Sequence, residues 1–426
     1  MMANSRLAHH PPANAPGHFD IIPFNGFNGA PKTLSIRMFR PALTLASAFA
    51  SLLTFPIAGF TQTVFDDGAV NNVTSSLSEV VVTNATTVNI LTGGEASPPD
   101  GSGGIVPNAI EVNGNSIIVV DGGSINGTNN TSAGNSRAGD GIEGGPASIT
   151  VNSGLVAGGD RTAGVGFAGD GMELFGGAVS VIVNGGAVRG GNALAANGGA
   201  GGDGIEVNSG SVLINGGTVS GGDVAQGGAT NGTGGNGLQV LFDASVTITA
   251  GDLIGGLNTD GTRQSSLATS GDGGVDISGG TFTGGGDSSI GVNANVVIFG
   301  GSATIRGGTF ITAPGAPAAE FAGSRAVVSG GSFPSGAIWR LVEGANVIVD
   351  GEDIVVTENE NGDGGTITGT LADSSPLDIV YSIDERSSIG DGQSVPPAGI
   401  PVNQFSWLLI LLLAALGRAA HSAIRA

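Results

Sequence analysis

Cysteine is absent from the chain, which excludes disulfide staples, thiol catalysis and thiolate metal sites together. The four histidines, His9, His10, His18 and His421, all lie near the two ends. The long middle of the chain therefore has no imidazole for general-base work, for zinc or for a Ser-His-Asp arrangement. Lysine occurs once, at Lys32, so the middle has none for Schiff-base or general-base duty. Aromatic groups that stack on sugars are scarce: the middle holds Trp339 and Tyr381, and the other Trp is Trp407. Positive charge is the largest deficit. Between Phe60 and Gly399 there are 34 acidic residues against 8 Arg, a net of −26. Nucleic-acid binding needs a cationic footprint that displaces counterions, so no nucleic-acid partner is expected.

What the chain has in excess is glycine. Gly and Pro together make 98 of 426 residues, about 23%, just below the level at which low-complexity disorder becomes the default. Disorder is opposed by the 40% of apolar residues, which gather in short β-branched runs such as Ser116-Ile117-Ile118-Val119-Val120.

Both ends read as targeting segments. Arg37 and Arg40 form a positive region, Leu43 to Ile57 is uncharged and apolar, and Ala58-Gly59 is a small-residue cleavage neighbourhood. Residues 38–61 are thus expected to be a signal peptide, with an N-terminal membrane anchor as the alternative. Residues 1–37 read as an unstructured extension ahead of it, Met38 being a plausible true start. Residues 386–399 read as a linker. The segment 400–426 carries Ile400-Pro401, then Trp407, the uncharged run Leu408 to Leu416, and finally Arg418, His421 and Arg425. The strictly apolar part is shorter than the roughly 20 residues of a relaxed transmembrane helix, but Phe405 to Ala420 approaches that length with Arg418 snorkelling.

The order Ile-Pro, Trp, apolar helix, basic end resembles the IPTL-CTERM group of PEP-CTERM-like sorting domains, on Ile400, Pro401 and Trp407. Val402-Asn403-Gln404 stands where that group usually has Thr-Leu-Ser. The resemblance implies an exported protein of a Gram-negative envelope, held at the inner membrane by this helix. It also implies processing by an exosortase-type peptidase, with secretion or surface display afterwards.

The middle repeats. Gly202-Asp203-Gly204-Ile205-Glu206-Val207 is followed by Ser211-Val212-Leu213-Ile214-Asn215-Gly216-Gly217 and Thr218-Val219-Ser220-Gly221-Gly222. Equivalent phrases open at Asp140, Asp170, Asn236 and, in degenerate form, Asp272, with spacings of 30, 33, 33 and 36. Further on the phrase shortens to a Gly-Gly-(Thr/Ser)-Phe form at Phe282, Phe310 and Phe333. A constant unit with elastic spacing marks stacked repeats whose insertions fall in one loop. Three short apolar runs per unit, separated by Gly, Asn and Asp, are strand-turn punctuation. The fold expected for residues 62–385 is all-β: a single-stranded parallel β-helix of roughly ten coils, with a hydrophobic helix at each terminus of the chain. Thr366 to Ile383 interrupts the repeat and reads as a C-terminal cap. The pattern resembles the β-helical passengers of bacterial autotransporters and adhesins.

No catalytic residue or bound cofactor is expected. Asp140, Asp170, Asp203 and Asp272 are weak calcium candidates, because Gly201-Gly202-Asp203-Gly204-Ile205-Glu206 loosely resembles an RTX nonapeptide. The plainer reading makes a recurring Asp a turn residue. Calcium, if held, would be structural. Arg137, Arg161, Arg189, Arg263 and Arg306 fall about once per repeat and read as solvated partners of neighbouring acids. The expected function is a non-catalytic structural or adhesive body on an envelope protein. Its expected partners are the membrane and a polysaccharide or cell-surface ligand. The alternative is a polysaccharide lyase or glycoside hydrolase working with paired carboxylates. A third reading is a passive spacer kept soluble by its charge. Intact-mass measurement of the exported protein should show a new N-terminus between Ala58 and Gln62 and loss of mass from the C-terminal segment. A full-length mass contradicts both targeting readings.

Overall fold

The computed structural model describes residues 62–392, apart from 103–105, 196–198, 227–231 and 289–290. The described residues are all-β and contain no helix long and apolar enough to cross a membrane. The two expected terminal helices, and with them Ile400, Pro401 and Trp407, lie outside the described residues.

Short strands pair in parallel with strands about one repeat later, in three columns. The first column runs from Gln62–Phe65 through Glu79–Val82, Ile110–Val112, Ile142–Gly144, Met172–Leu174, Ile205–Val207 and Leu238–Val240 on to Pro376–Ile383. The second includes Ser180–Val183, Ser211–Ile214 and Ser245–Ile248, and the third Ala187–Arg189, Thr218–Ser220 and Asp252–Ile254. Long strands such as Ala147–Ala157 and Ser302–Thr312 turn the corner and serve the second and third columns together. The chain visits each column once per repeat, an arrangement compatible with a β-helix. The first column has fourteen strands, of which Gly351–Glu358 and Gly364–Leu371 pair antiparallel. Twelve parallel layers therefore stand where roughly ten were expected. Ser388–Asp391 pairs with Asn346–Val349, so the ordered stack enters the stretch expected to be a linker.

Alternation along each strand sends one side chain inward and the next outward. In the first column the inward residues in register are Val80, Ile110, Ile142, Met172, Ile205, Leu238, Leu267, Val296, Ala319, Trp339 and Tyr381. All of them are buried. The third column stacks Ile125, Val156, Val188, Val219, Leu253, Phe282 and Phe310. There the rings of Phe282 and Phe310 lie 5.0 Å apart, and those of Phe310 and Phe333 4.4 Å, stacked with nearly parallel planes. Offset stacking at one-layer spacing gives each ring apolar contact above and below. Trp339 meets Phe333 edge-on at 5.2 Å and is buried in the core, away from any sugar.

From Gly139 to Gly256 glycine backbone closes the third corner of each layer. Gly159 leaves the third column and Gly169 re-enters the first, and the Gly169 N–H donates to the Gly159 carbonyl at 2.9 Å. The zigzag continues upward through Gly191 to Gly169 at 2.7 Å, Gly202 to Gly191 at 3.0 Å, Gly222 to Gly202 at 2.8 Å and Gly235 to Gly222 at 2.9 Å. Backbones approach so closely that a Cβ on Gly202 would overlap the Gly169 carbonyl oxygen. The loop between the two glycines is pinched outside the layer. It is nine residues long after Gly159, ten after Gly191 and twelve after Gly222. The corner between the first and second columns also varies, being longer from Leu174 to Ser180 than from Gly144 to Ser148, so two places together give the elastic spacing.

At one end Thr366 sits in the antiparallel strand Gly364–Leu371, which covers Pro376–Ile383. The antiparallel pair interrupts the repeat there, but Pro376–Ile383 still pairs in parallel with Ala337–Val342 and Ser388–Asp391 with Asn346–Val349. At the other end Gln62–Phe65 pairs only with Glu79–Val82 among the described residues, and Val64 and Val70 are exposed. Gly202→Ala should prevent the layer from closing and lower the unfolding free energy by several kcal/mol, of the order seen for severe steric defects (about 4). Gly177→Ala, at a glycine with open space around its Cβ position, should stay within about 0.5 kcal/mol. Denaturant melts of the two variants check this, and equal effects refute the closure role of Gly202.

Candidate functional site

Each closing glycine of the re-entry strand is followed by an Asx residue, and the reason is a backbone hydrogen bond. The Asp140 N–H donates to Asn108 Oδ1 at 2.7 Å, the Asp170 N–H to Asp140 Oδ1 at 2.6 Å, the Asp203 N–H to Asp170 Oδ1 at 2.6 Å and the Asn236 N–H to Asp203 Oδ1 at 2.5 Å. Each carboxylate thus satisfies the main-chain donor of the next layer, which a corner without strand pairing would leave bare. A second ladder follows the exit glycines. There the Asp160 N–H donates to Asn129 Oδ1 at 2.7 Å, Asn192 to Asp160 at 2.8 Å, Asp223 to Asn192 at 2.9 Å and Leu257 to Asp223 at 2.7 Å. A third row, Asn152, Asn184, Asn215 and Thr249, joins side chain to side chain at 2.9–3.0 Å.

Three residues beyond the first ladder lies a column of glutamates. Glu111, Glu143, Glu173 and Glu206 are in register on the outward side of the first column, ending at Gln239. Like charges stacked directly opposite one another repel, so this surface stores unfavourable energy. Among the described residues a cation relieves it at one point. Arg137 pairs with Asp170, with Glu173 at 2.6 Å and with Asp140 at 3.2 Å. Its equivalents in later layers, Phe167, Ala200 and Thr233, are uncharged, so Arg137 breaks the repeat. Beside it lies a groove of about 400 Å³ lined by Phe167, Asp170, Glu173, Asp203 and Glu206, among others. Phe167 is 63% exposed on its rim.

Burial is the main influence on these acids. It raises the Asp140 carboxyl well above the usual range, with Asp170 adding repulsion and Arg137 opposing. It lifts Asp170 to about 7 against the pull of Arg137. Asp203 is raised by burial and by the charge of Asp170. Glu143 and Glu206 are raised more modestly, by desolvation and then by Glu173. For Arg137 burial works against the charge, but Asp140, Asp170 and Glu173 outweigh it and hold the guanidinium protonated.

Of the four calcium candidates, the structure brings Asp140, Asp170 and Asp203 into one ladder. Asp272 is elsewhere: it is exposed in the corner between Leu267–Ser270 and Gly274–Ile277. Leu267 is in register with Leu238, so the phrase that opens at Asn236 opens again at Ser265, not at Asp272. Asp140, Glu143 and Glu173 do offer oxygen atoms within 4.8 Å of one another, a span a divalent cation could bridge. A metal entering there competes with the guanidinium already seated among these carboxylates.

Sequence reasoning missed Arg137 as a centre, the glutamate column and the second Asx ladder. The signal for the column was the Asp-x-x-Glu spacing of Asp140 and Glu143, Asp170 and Glu173, and Asp203 and Glu206. Arg137 is recognisable as the residue three places before the phrase that no other repeat copies. The remaining arginines behave diversely. Arg306 pairs with Asp276 at 2.6 Å, and Arg263 donates to the Gly255 carbonyl at 2.7 Å. Arg161 is buried, donating to the Ser132 and Gly134 carbonyls and to Ser136 Oγ, with no carboxylate partner among the described residues. It clamps one returning loop onto the next and is no solvated surface pair.

Comparison with family models, curated proteins and solved structures finds no match to this chain. Asp160→Ala should remove the acceptor for the Asn192 N–H and lower stability by about 1–3 kcal/mol. Asp160→Asn, chemically like Asn129 and Asn192 in the same ladder, should stay within about 0.5 kcal/mol. Thermal denaturation of both variants distinguishes a hydrogen-bonding role from a charge-dependent one, and a large loss in the Asn variant contradicts the former.

Proposed function

We propose that this is an exported cell-envelope protein whose body, a single-stranded parallel β-helix, is a non-catalytic structural or adhesive column. The observation that carries the reading is the equivalence of the layers. The Asp residues that recur along the chain are engaged by the next layer's backbone, one after another, from Asn108 to Asn236. A residue committed to the same main-chain bond in successive layers is a building element, not a catalyst singled out from its neighbours. Trp339 and Tyr381 are both buried, so neither offers a platform to a saccharide. The signal-peptide and sorting-domain resemblances supply the location: inner membrane or periplasm first, with surface display or secretion after processing. The outward ladders of Asn, Ser, Thr and Glu supply a long, repetitive acidic face for a polysaccharide or cell-surface ligand.

One observation favours a second reading, a carbohydrate-active enzyme. The groove at Arg137 departs from the repeat and holds Glu173 and Glu206 on neighbouring strands beside an exposed Phe167. A pair of carboxylates in a groove, one of them held by Arg137, is the minimum equipment for glycoside hydrolysis. The purified exported protein, incubated with acidic and neutral polysaccharides, should bind without generating new reducing ends or unsaturated ends. Turnover that is lost in both Glu173→Gln and Glu206→Gln establishes the enzyme and removes the structural reading.

A further inference from the structure

The first Asx ladder is more acidic than its hydrogen bonds require. Its lower end is Asn108 and its upper continuation is Asn236, and Asn108 accepts the next N–H as Asp140 and Asp170 do. The parallel ladder mixes Asn129, Asp160, Asn192 and Asp223 in the same job. An amide is therefore sufficient for the geometry. Yet three successive rungs, at one-layer spacing of about 4.8 Å, are carboxylic acids packed against one another.

The surroundings do not neutralise them. Among the described residues Arg137 is the one cation paired with the row, and it is shared with Glu173. From the first column the row faces Glu143, Glu173 and Glu206, with Glu111 next in line below Glu143. Across the glycine zigzag the returning stretch adds Asp160 and Asp223, and Arg189, at the end of the third-column strand Ala187–Arg189, is exposed. Asp140 and Asp170 are 3% and 5% exposed, so water screens them little.

We propose that Asp140, Asp170 and Asp203 form a proton-dependent latch that holds layers 140–236 together while the row retains protons and lets them part when the row is fully ionised. The inference rests on the ladder geometry and stands whether the column is adhesive or catalytic. The sign follows from linkage. A carboxyl whose folded value is raised binds more protons folded than unfolded. Its stabilising contribution is whole below the ordinary Asp range and is lost progressively as pH rises through the folded value, about 7 for Asp170. The direction is opposite to that of a salt-bridged Asp, whose contribution disappears in acid.

Hydrogen exchange of the full-length protein in mild detergent and a chelator, read by mass spectrometry and corrected for intrinsic rates, tests this. Between pH 5 and pH 8 the protection of peptides spanning 139–142, 169–172 and 202–206 should fall at least about tenfold, while peptides across 296–349 keep theirs. Equal protection at the two pH values overturns the proposal. In the triple variant Asp140→Asn, Asp170→Asn, Asp203→Asn the dependence should vanish, and its persistence overturns the proposal as well. Arg137→Gln provides a check should the triple variant not fold. Without the guanidinium the fall in protection should deepen and extend to higher pH, and a profile identical to that of the unmodified protein counts against the latch.

Discussion

The structure depends on how closely two backbones approach at the third corner of each layer. A layer of three short strands has no regular ladder where it ends and the next begins, so its main-chain donors there need another acceptor. Glycine carbonyls across the corner supply one set, and Asx side chains one layer down supply the other. Both need the absence of a side chain at the glycine, because any Cβ would occupy the place of the opposing carbonyl. Gly159, Gly169, Gly191, Gly202, Gly222 and Gly235 are in this sense the closure of the fold. A core lined by in-register Val, Ile, Leu and Phe, closed layer by layer in this way, has no need of disulfide staples, and the chain has no cysteine to form them.

Closure has an electrostatic consequence. Because the bonding residue is Asx, a layer that uses Asp places a potential charge directly above the last, and at Asp140, Asp170 and Asp203 three follow in succession, the first two of them buried. The glutamates three residues on lie beside that row, since alternation in the strand turns them outward next to it. Repetition, which makes the fold simple, thus concentrates charge of one sign. Arg137 answers it where three carboxylates converge, and it lines the groove beside them.

Much of this was legible in the chain. The apolar runs, their Gly and Asn punctuation and the elastic period lead to parallel stacking without further information, and the Phe spacing at 282, 310 and 333 anticipates the aromatic stack. The errors are equally instructive. Asp272 looked like another opening Asp because it sits in a Gly-Asp-Gly triplet. The register of Leu267 on Leu238 shows instead that the opening at that layer is Ser265-Ser266, and that the triplet belongs to a different corner. Corners of all kinds select Gly and Asp, so the triplet alone does not say which corner it is. Arg161 was read as a surface charge, but the layer below it folds a loop of carbonyls over its head.

By itself the amino-acid order determined the strand content, the period and the identity of the inward face, since each follows from local alternation and turn chemistry. It also determined the sign of the surface and the chemistries that are impossible there. Tertiary structure alone decided which Asp residues share one row, that Arg137 stands among three acids, and that Trp339 and Tyr381 are interior. Those facts are about neighbours some thirty residues apart, and the loop lengths that set their register vary from layer to layer. Only pairing across the layers converts that variable distance along the chain into contact.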